Sequence, residues 1–266
     1  MSTSPHLHDR DLPDAEQYRL WQILGIWAAI TVPMGVNLWW VMPNVILGNT
    51  SVPGIVYLLT ATAGLVWQAV VAFIILKREV RPFTWTGLKR RLWLDKPQSP
   101  RTGRASWRLL WWAVVLAVVY LAVSMTEVLE PLNEALTRVF PALSAPDYAL
   151  IENLAIPDVV GAWWLMAVLL VLILCNYLIG EELIFRGILL PKMRGVFGKW
   201  DVLANGVLFA TYHVHLIWAV PAMLVTDWVY AWIAKRYRSY WMAVVFHGLD
   251  AVFLLVLFPL AILGLL

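Results

Sequence analysis

The strongest constraint on this chain is a succession of long apolar runs. A helix that crosses a bilayer needs about 20 predominantly apolar residues. Roughly residues 21–42, 54–76, 109–126, 161–190, 202–219, 221–234 and 240–258 offer such runs, the sixth being short. The apolar tail to Leu266 extends the last of them or forms a further short helix. The expected fold class is therefore all-α, a polytopic helical membrane bundle of about seven to eight transmembrane helices. Composition agrees: only 14% of residues are charged, where a soluble domain carries about a quarter. Seventeen tryptophans suit aromatic belts at two membrane surfaces, with the pairs 39–40, 111–112 and 163–164 as belt or packing residues. The single cysteine, Cys175, excludes an internal disulfide and a multi-cysteine metal site. Residues 1–20 are polar and mixed in charge, without the pattern of a cleaved signal peptide, and read as a cytoplasmic tail. Residues 21–266 read as a single transmembrane domain. No nucleic-acid motif is present, so the partners expected are the lipid bilayer and whatever the site acts on, with no nucleic acid.

Charge placement predicts the orientation. Segment 77–108 holds Lys77, Arg78, Arg81, Lys89, Arg90, Arg91, Lys96, Arg101, Arg104 and Arg108 against Glu79 and Asp95. Basic loops stay on the cytoplasmic side. Segment 127–160 carries Glu127, Glu130, Glu134, Asp147, Glu152 and Asp158 with one base, Arg138, and should face outside. Lys192, Arg194 and Lys199, then Lys235, Arg236 and Arg238, mark further inside loops. The signs alternate correctly with the N-terminus inside, and the expected location is the plasma membrane. The stretch "FTWTGLKRRLWL" (83–94) reads either as a segment lying along the inner surface or as a solvated basic loop.

Against this background "LIGEELIFRGILL" (178–190) stands out. A charge inside the bilayer costs several kcal/mol unless it is paired or faces a watery cavity. Four apolar runs carry such groups: Glu181, Glu182 and Arg186; His213 and His215; Asp227; His247 and Asp250. Counted from the nearest basic or polar marker at about 1.5 Å per residue, Glu181 lies roughly 16 Å deep, His213 roughly 18 Å, His247 roughly 14 Å and Asp227 roughly 12 Å. The groups can share one cavity nearer the cytoplasmic side. Glu182 and Arg186 are four apart, so they share a helix face and can pair. Glu181, about 100° round, is left to point into the cavity. A histidine facing it would complete a carboxylate–imidazole pair able to activate water for attack on a carbonyl.

These residues resemble a known pattern. "EELIFRG" (Glu181 to Gly187) resembles the EExxxR signature of the CAAX-prenyl-protease and bacteriocin-processing family of intramembrane proteases, and "FATYH" (Phe209 to His213) resembles its FxxxH signature. The third signature is a histidine with Asn or Asp four residues later. Here "HGLDA" gives His247 with Ala251 at that place, and Asp250 one residue early. The resemblance spans roughly 161–258. It implies a helical bundle that cleaves peptide bonds inside the membrane, near the C-terminus or anchor of a membrane-associated peptide or protein substrate, lipidated and specifically prenylated substrates included. It implies that Glu181 and His213 activate the water, that Glu182 and Arg186 support the site, and that His247 stabilises the oxyanion. Such enzymes have been described both as glutamate-dependent and as zinc-dependent. No cofactor is required by the first description, while the second makes Glu181, His213 and His247 the alternative zinc ligands, although no HExxH occurs.

Supporting candidates are Asp250, Asp227 and Phe209. An ionised Asp250 would repel an oxyanion but can orient His247. Asp227 is either a pairing partner of His247 or a base, or a substrate contact. His215, about 200° from His213 on a helix, reads as structural, and Cys175, Asn176 and Asn205 as packing or interhelical polar contacts. Two rival functions remain at this stage. A non-catalytic membrane scaffold or immunity-type relative would explain the altered third motif. A proton-coupled transporter could use the same groups, but would more often show repeated halves or broken helices.

Overall fold

The computed structural model describes residues 17–150 and 156–265, so most of the expected N-terminal tail and Glu152 lie outside the described residues. Among the described residues all regular structure is helical, and pairing of extended backbone is confined to a Gln98–Ala105 bridge. The helices are α1 (Leu20–Val36), α2 (Pro53–Glu79), α3 (Trp85–Leu92), α4 (Leu110–Ser124), α5 (Glu130–Val139), α6 (Trp164–Leu174), α7 (Arg194–Phe197), α8 (Asp201–Tyr212), α9 (Val220–Thr226), α10 (Trp228–Tyr237), α11 (Tyr240–Gly248) and α12 (Ala251–Ile262). The chain is a polytopic all-α bundle. Several helices run on as one span, and among the described residues five are long and apolar enough to cross a membrane: Leu20–Asn49, Pro53–Glu79, Trp107–Ser124, Trp164–Lys192 and Tyr240–Ile262. A sixth forms if the bent pair Arg194–Tyr212 and Val214–Thr226 counts as one.

The difference from the seven apolar stretches has a local cause. Stretch 202–219 does not run straight: the chain turns by 110° after Tyr212, and Leu216 leaves helical geometry at φ −125°, ψ 39°. Pro221, which suits the first turn of a helix because it lacks an N–H, starts α9. Stretch 221–234 is then divided at Asp227, where α9 ends and α10 begins. The short sixth run is thus shared between the far arm of a broken span and a ten-residue helix.

Two glycines set the packing around the centre. A Cβ on Gly206 of α8 would lie 2.5 Å from Trp228 Cα and 2.6 Å from its backbone nitrogen, so only glycine lets α8 sit against the start of α10. A Cβ on Gly180 would meet the Cys175 carbonyl oxygen at 2.2 Å. Gly180 interrupts the span between two π-helical segments, Cys175–Ile179 and Leu183–Leu189. The buried core gathers here, with Ile184, Phe185, Phe209, Tyr212, Tyr230 and Phe246 at or below 5% exposure. The outer face is apolar as lipid contact requires: Trp40, Trp111, Trp112, Trp163 and Trp164 are exposed, while Trp39 turns in and donates to the Val214 carbonyl at 2.6 Å.

The basic stretch 83–94 is neither a free surface segment nor a solvated loop throughout. Thr84 caps α3 by accepting from the Gly87 N–H at 3.2 Å, and the helix buries Arg91 and Leu92. Arg91 donates to the carbonyls of Gly187 at 3.1 Å and Ile188 at 3.0 Å, and through Nε to Glu79 at 2.7 Å. The two carbonyl bonds tie α3 to the end of the Trp164–Lys192 span. Glu79 also accepts from Tyr18 at 2.6 Å and pairs with Lys192 at 3.2 Å. Burial pushes the Tyr18 hydroxyl well above its usual range, so it stays a donor.

Candidate active site

The main residues singled out from sequence come from three segments and meet in one buried place. Glu181 and Glu182 open the segment after Gly180 and Arg186 follows in its π-helical part, Phe209 lies in the last turn of α8 with His213 just beyond it, and His247 lies in the last turn of α11. Glu181, Glu182, Arg186, His213, Asp227 and His247 are all buried.

Glu182 is the hub of the supporting half. Its Oε1 accepts from Arg186 Nη1 at 3.0 Å and lies 3.0 Å from His247 Nδ1. A carboxylate between a guanidinium and an imidazole lowers the cost of holding each in an apolar interior. The guanidinium also lies against two neighbouring aromatic rings, its carbon 3.9 Å from the Phe209 ring centre and 4.9 Å from that of Tyr230. Such cation–π contacts contribute about 2 kcal/mol where water is excluded. Among the described residues Arg186 Nε and Nη2 have no hydrogen-bond partner, and the ring faces stand in for one. His247 is walled by Tyr177 and Tyr230, at ring-centre distances of 4.6 and 4.9 Å.

Glu181 belongs to the other half. His213 Nδ1 lies 2.9 Å from the Phe209 carbonyl oxygen. A carbonyl can only accept, so Nδ1 carries the proton and Nε2 of a neutral ring is left with its lone pair. That nitrogen faces Glu181 Oε2 at 4.0 Å. The separation exceeds a direct hydrogen bond and suits a water held by both groups. Asn176, with its amide nitrogen turned toward the carboxylate, donates to Glu181 Oε2 at 2.8 Å and Oε1 at 2.9 Å. The Tyr212 side chain stands beside Glu181, and Gln68 Nε2 of α2 donates to its hydroxyl.

Three expected placements differ. Asp250 does not hold His247 through Nδ1, because Glu182 occupies that nitrogen. Asp250 instead stands just before α12, its own N–H donating to the His247 carbonyl at 3.1 Å. Asp227 accepts from the Thr226 hydroxyl at 3.1 Å, which lies 3.3 Å from the Tyr120 hydroxyl, at the edge of the cluster. His215 does not point away from His213. The helix ends at Tyr212, so wheel angles cease to apply, and the two rings lie 5.3 Å apart, tilted by 31°. Asn205 does make an interhelical contact, donating to the Phe185 carbonyl at 2.8 Å.

With this geometry in view, the comparison with known families is specific. Residues 162–253 match the family model described as type II CAAX prenyl endopeptidase Rce1-like. That stretch is similar to the Rce1-like family. It contains all three signature segments and bears out the resemblance to the CAAX-prenyl-protease and bacteriocin-processing family. No curated protein and no solved structure matches the chain. The Rce1-like match supports an integral membrane protein with protease activity that acts on a membrane-associated protein or peptide.

Sequence reasoning missed part of the Glu181 surroundings. Asn176 lies five residues before Glu181, a spacing that an α-helix spreads apart but a π-helical turn and a break bring together. Tyr212 sits inside FxxxH at an unspecified position. Gln68 lies outside the Rce1-like stretch altogether; its one signal was a glutamine in an otherwise apolar span. The alternative zinc set is not assembled, since among the described residues no three His, Cys, Asp or Glu side chains converge as a metal-binding group. No step is derived through a metal.

Proposed function

We propose that the chain is an intramembrane endopeptidase that hydrolyses a peptide bond near the C-terminus or membrane anchor of a membrane-associated substrate, prenylated proteins being the class the family implies. The observation that carries this reading is the facing pair Glu181 Oε2 and His213 Nε2, 4.0 Å apart, with His213 fixed by the Phe209 carbonyl. Glu181 takes a proton from a water held between them as the water oxygen attacks the scissile carbonyl carbon. The carbonyl π electrons move to oxygen, and the oxyanion accepts from Nε2–H of a protonated His247, whose Nδ1–H donates to Glu182. Collapse re-forms the carbonyl and breaks the C–N bond, and Glu181 returns the proton to the leaving amine. Glu182 and Arg186 hold His247 and the segment in place; Asp250 and Asp227 stand at the edge. The reaction so written needs no cofactor.

The same reading places residues 21–266 in one transmembrane domain of the plasma membrane, with residues 1–20 and the basic loops on the cytoplasmic side, where the site opens. Purified full-length protein should cleave a membrane-anchored, C-terminally prenylated peptide. Glu181→Gln and His213→Ala should each lower turnover by at least about a hundredfold, as loss of general acid–base catalysis does, while the variants stay folded in detergent. Wild-type turnover by Glu181→Gln on a confirmed substrate would refute the mechanism. Activity that disappears with chelator and returns with zinc would replace it with a metal-dependent one. A folded protein that binds such peptides without cleaving them would favour the scaffold reading.

A further inference from the structure

A second polar feature lies at the basic end of the bundle, apart from Glu181 and its partners. A cavity of about 600 Å³ opens between the start of α8, the later part of α10 and the 98–100 loop. Among the described residues five cations line it, Arg194, Lys199, Lys235, Arg236 and Arg238, of which Arg194 and Arg238 have partners of their own. Asp201 is the one carboxylate among the described lining residues, and it is committed. It is buried, accepts from the Val202 N–H at 2.7 Å and forms a salt bridge with Lys235. Lys199 and Arg236 are exposed, and neither meets a carboxylate among the described residues. Like charges gathered at one mouth attract an anion.

What lies beside the mouth narrows the kind of anion. Trp232 and Val202 are among the lining residues. From Trp232 an exposed apolar strip continues along α10 to Trp228, four residues away on the same face. From Val202 a second strip continues along α8 through the exposed Leu203 and Val207, again four apart. Gly206 brings these two helices into close approach, so the strips lie on neighbouring helices. A free phosphate would use the cationic mouth alone. A phospholipid would use the mouth and the strip together, with its headgroup at the bilayer surface where two spans, Trp164–Lys192 and Tyr240–Ile262, end.

We infer that this cavity is a binding site for an anionic phospholipid, the phosphate and its charged headgroup held by Lys199 and Arg236 and an acyl chain laid along α8 and α10. Native mass spectrometry of the purified full chain in neutral detergent tests it, with phosphatidylglycerol and phosphatidylcholine as probes. Wild-type protein should retain phosphatidylglycerol with at least about tenfold preference, since each cation at a membrane surface contributes about 1 kcal/mol toward an anionic lipid. Lys199→Gln with Arg236→Gln should erase that preference and leave phosphatidylcholine binding unchanged. Lys77→Gln with Arg78→Gln, which removes two exposed charges at the end of α2, should leave it intact. Inorganic phosphate at the lipid's concentration should not displace the bound lipid. The site is refuted if wild type shows no preference, if Lys199→Gln with Arg236→Gln keeps it, or if Lys77→Gln with Arg78→Gln loses as much. Displacement by inorganic phosphate as efficient as by lipid overturns the lipid assignment.

Discussion

Replacing Arg186 by methionine removes the guanidinium and keeps most of the side chain's apolar volume. In the wild-type protein both Arg186 and Glu182 are 0% exposed and joined at 3.0 Å. Breaking a buried pair from one side costs about 3–5 kcal/mol, because the surviving charge is stranded. Here His247 remains on the same carboxylate oxygen, which softens the stranding, while the lost contacts with Phe209 and Tyr230 add to it. The expected cost of Arg186→Met is therefore about 3 kcal/mol. Glu182→Gln leaves a buried cation with only the two rings against it and should cost a similar amount. The double variant removes both charges together, so it should be less destabilised than the sum of the singles by about 1–3 kcal/mol. An exposed pair at the same spacing would couple by only about 0.3–0.5 kcal/mol. The assay is equilibrium unfolding in mixed micelles of mild detergent and dodecyl sulfate, read by helical circular dichroism across all four proteins. Coupling below about 0.5 kcal/mol would mean that the pair does not meet in a dry interior, and the placement of Glu182 as hub would fall with it.

Gly206→Ala should lower the thermal midpoint sharply, by the equivalent of about 1–3 kcal/mol of overpacking, while Gly25→Ala, where an added Cβ meets nothing within 4 Å, should not; equal midpoints would show that α8 and α10 can part freely. Because Glu182 rather than Asp250 occupies His247 Nδ1, Glu182→Gln should reduce cleavage of a membrane-anchored peptide far more than Asp250→Ala does, and the reverse order in kcat would restore Asp250 as the partner of His247. In a Cys175→Ala background, Lys96→Cys and Lys199→Cys should react with impermeant thiol reagents only from the cytoplasmic side and Ala145→Cys only from outside. Labelling of Lys96→Cys on intact cells would invert the proposed orientation.

Much of the centre was legible because two rules are robust. Long apolar runs identify spanning helices, and a charge within such a run needs a partner; Glu182 and Arg186, four apart, follow from the second alone. Depth counting brought Glu181, His213 and His247 to one level even though it assumed straight helices. For His213 and His247 the counted stretch is regular helix, whereas for Glu181 the π-helical and 3-10 turns down to Lys192 lie inside it. The angular arguments fared less well. They assume 100° per residue, and the chain is π-helical at Cys175–Ile179 and Leu183–Leu189 and ends a helix at Tyr212. That is why Asn176 reached Glu181 and His215 stacked near His213 unforeseen. Arg91 was read as one of many loop cations, since nothing local distinguishes a guanidinium that will cap the Gly187 and Ile188 carbonyls from one left in water.

The hydrogen bond from Gln68 to Tyr212 has a bearing on how far the Rce1-like stretch can be regarded as a self-contained module. Gln68 sits on α2, almost a hundred residues ahead of that stretch, in a part of the chain whose sequence otherwise looks like interchangeable membrane filler. A chimera that transplanted residues 162–253 onto a foreign pair of leading helices would carry every signature and still leave the Tyr212 hydroxyl without its donor. The division of labour between the two halves of the chain is therefore not anchor and engine. The leading helices fix the Tyr212 side chain beside Glu181, and drift in their sequence is free only where it leaves that one amide in reach.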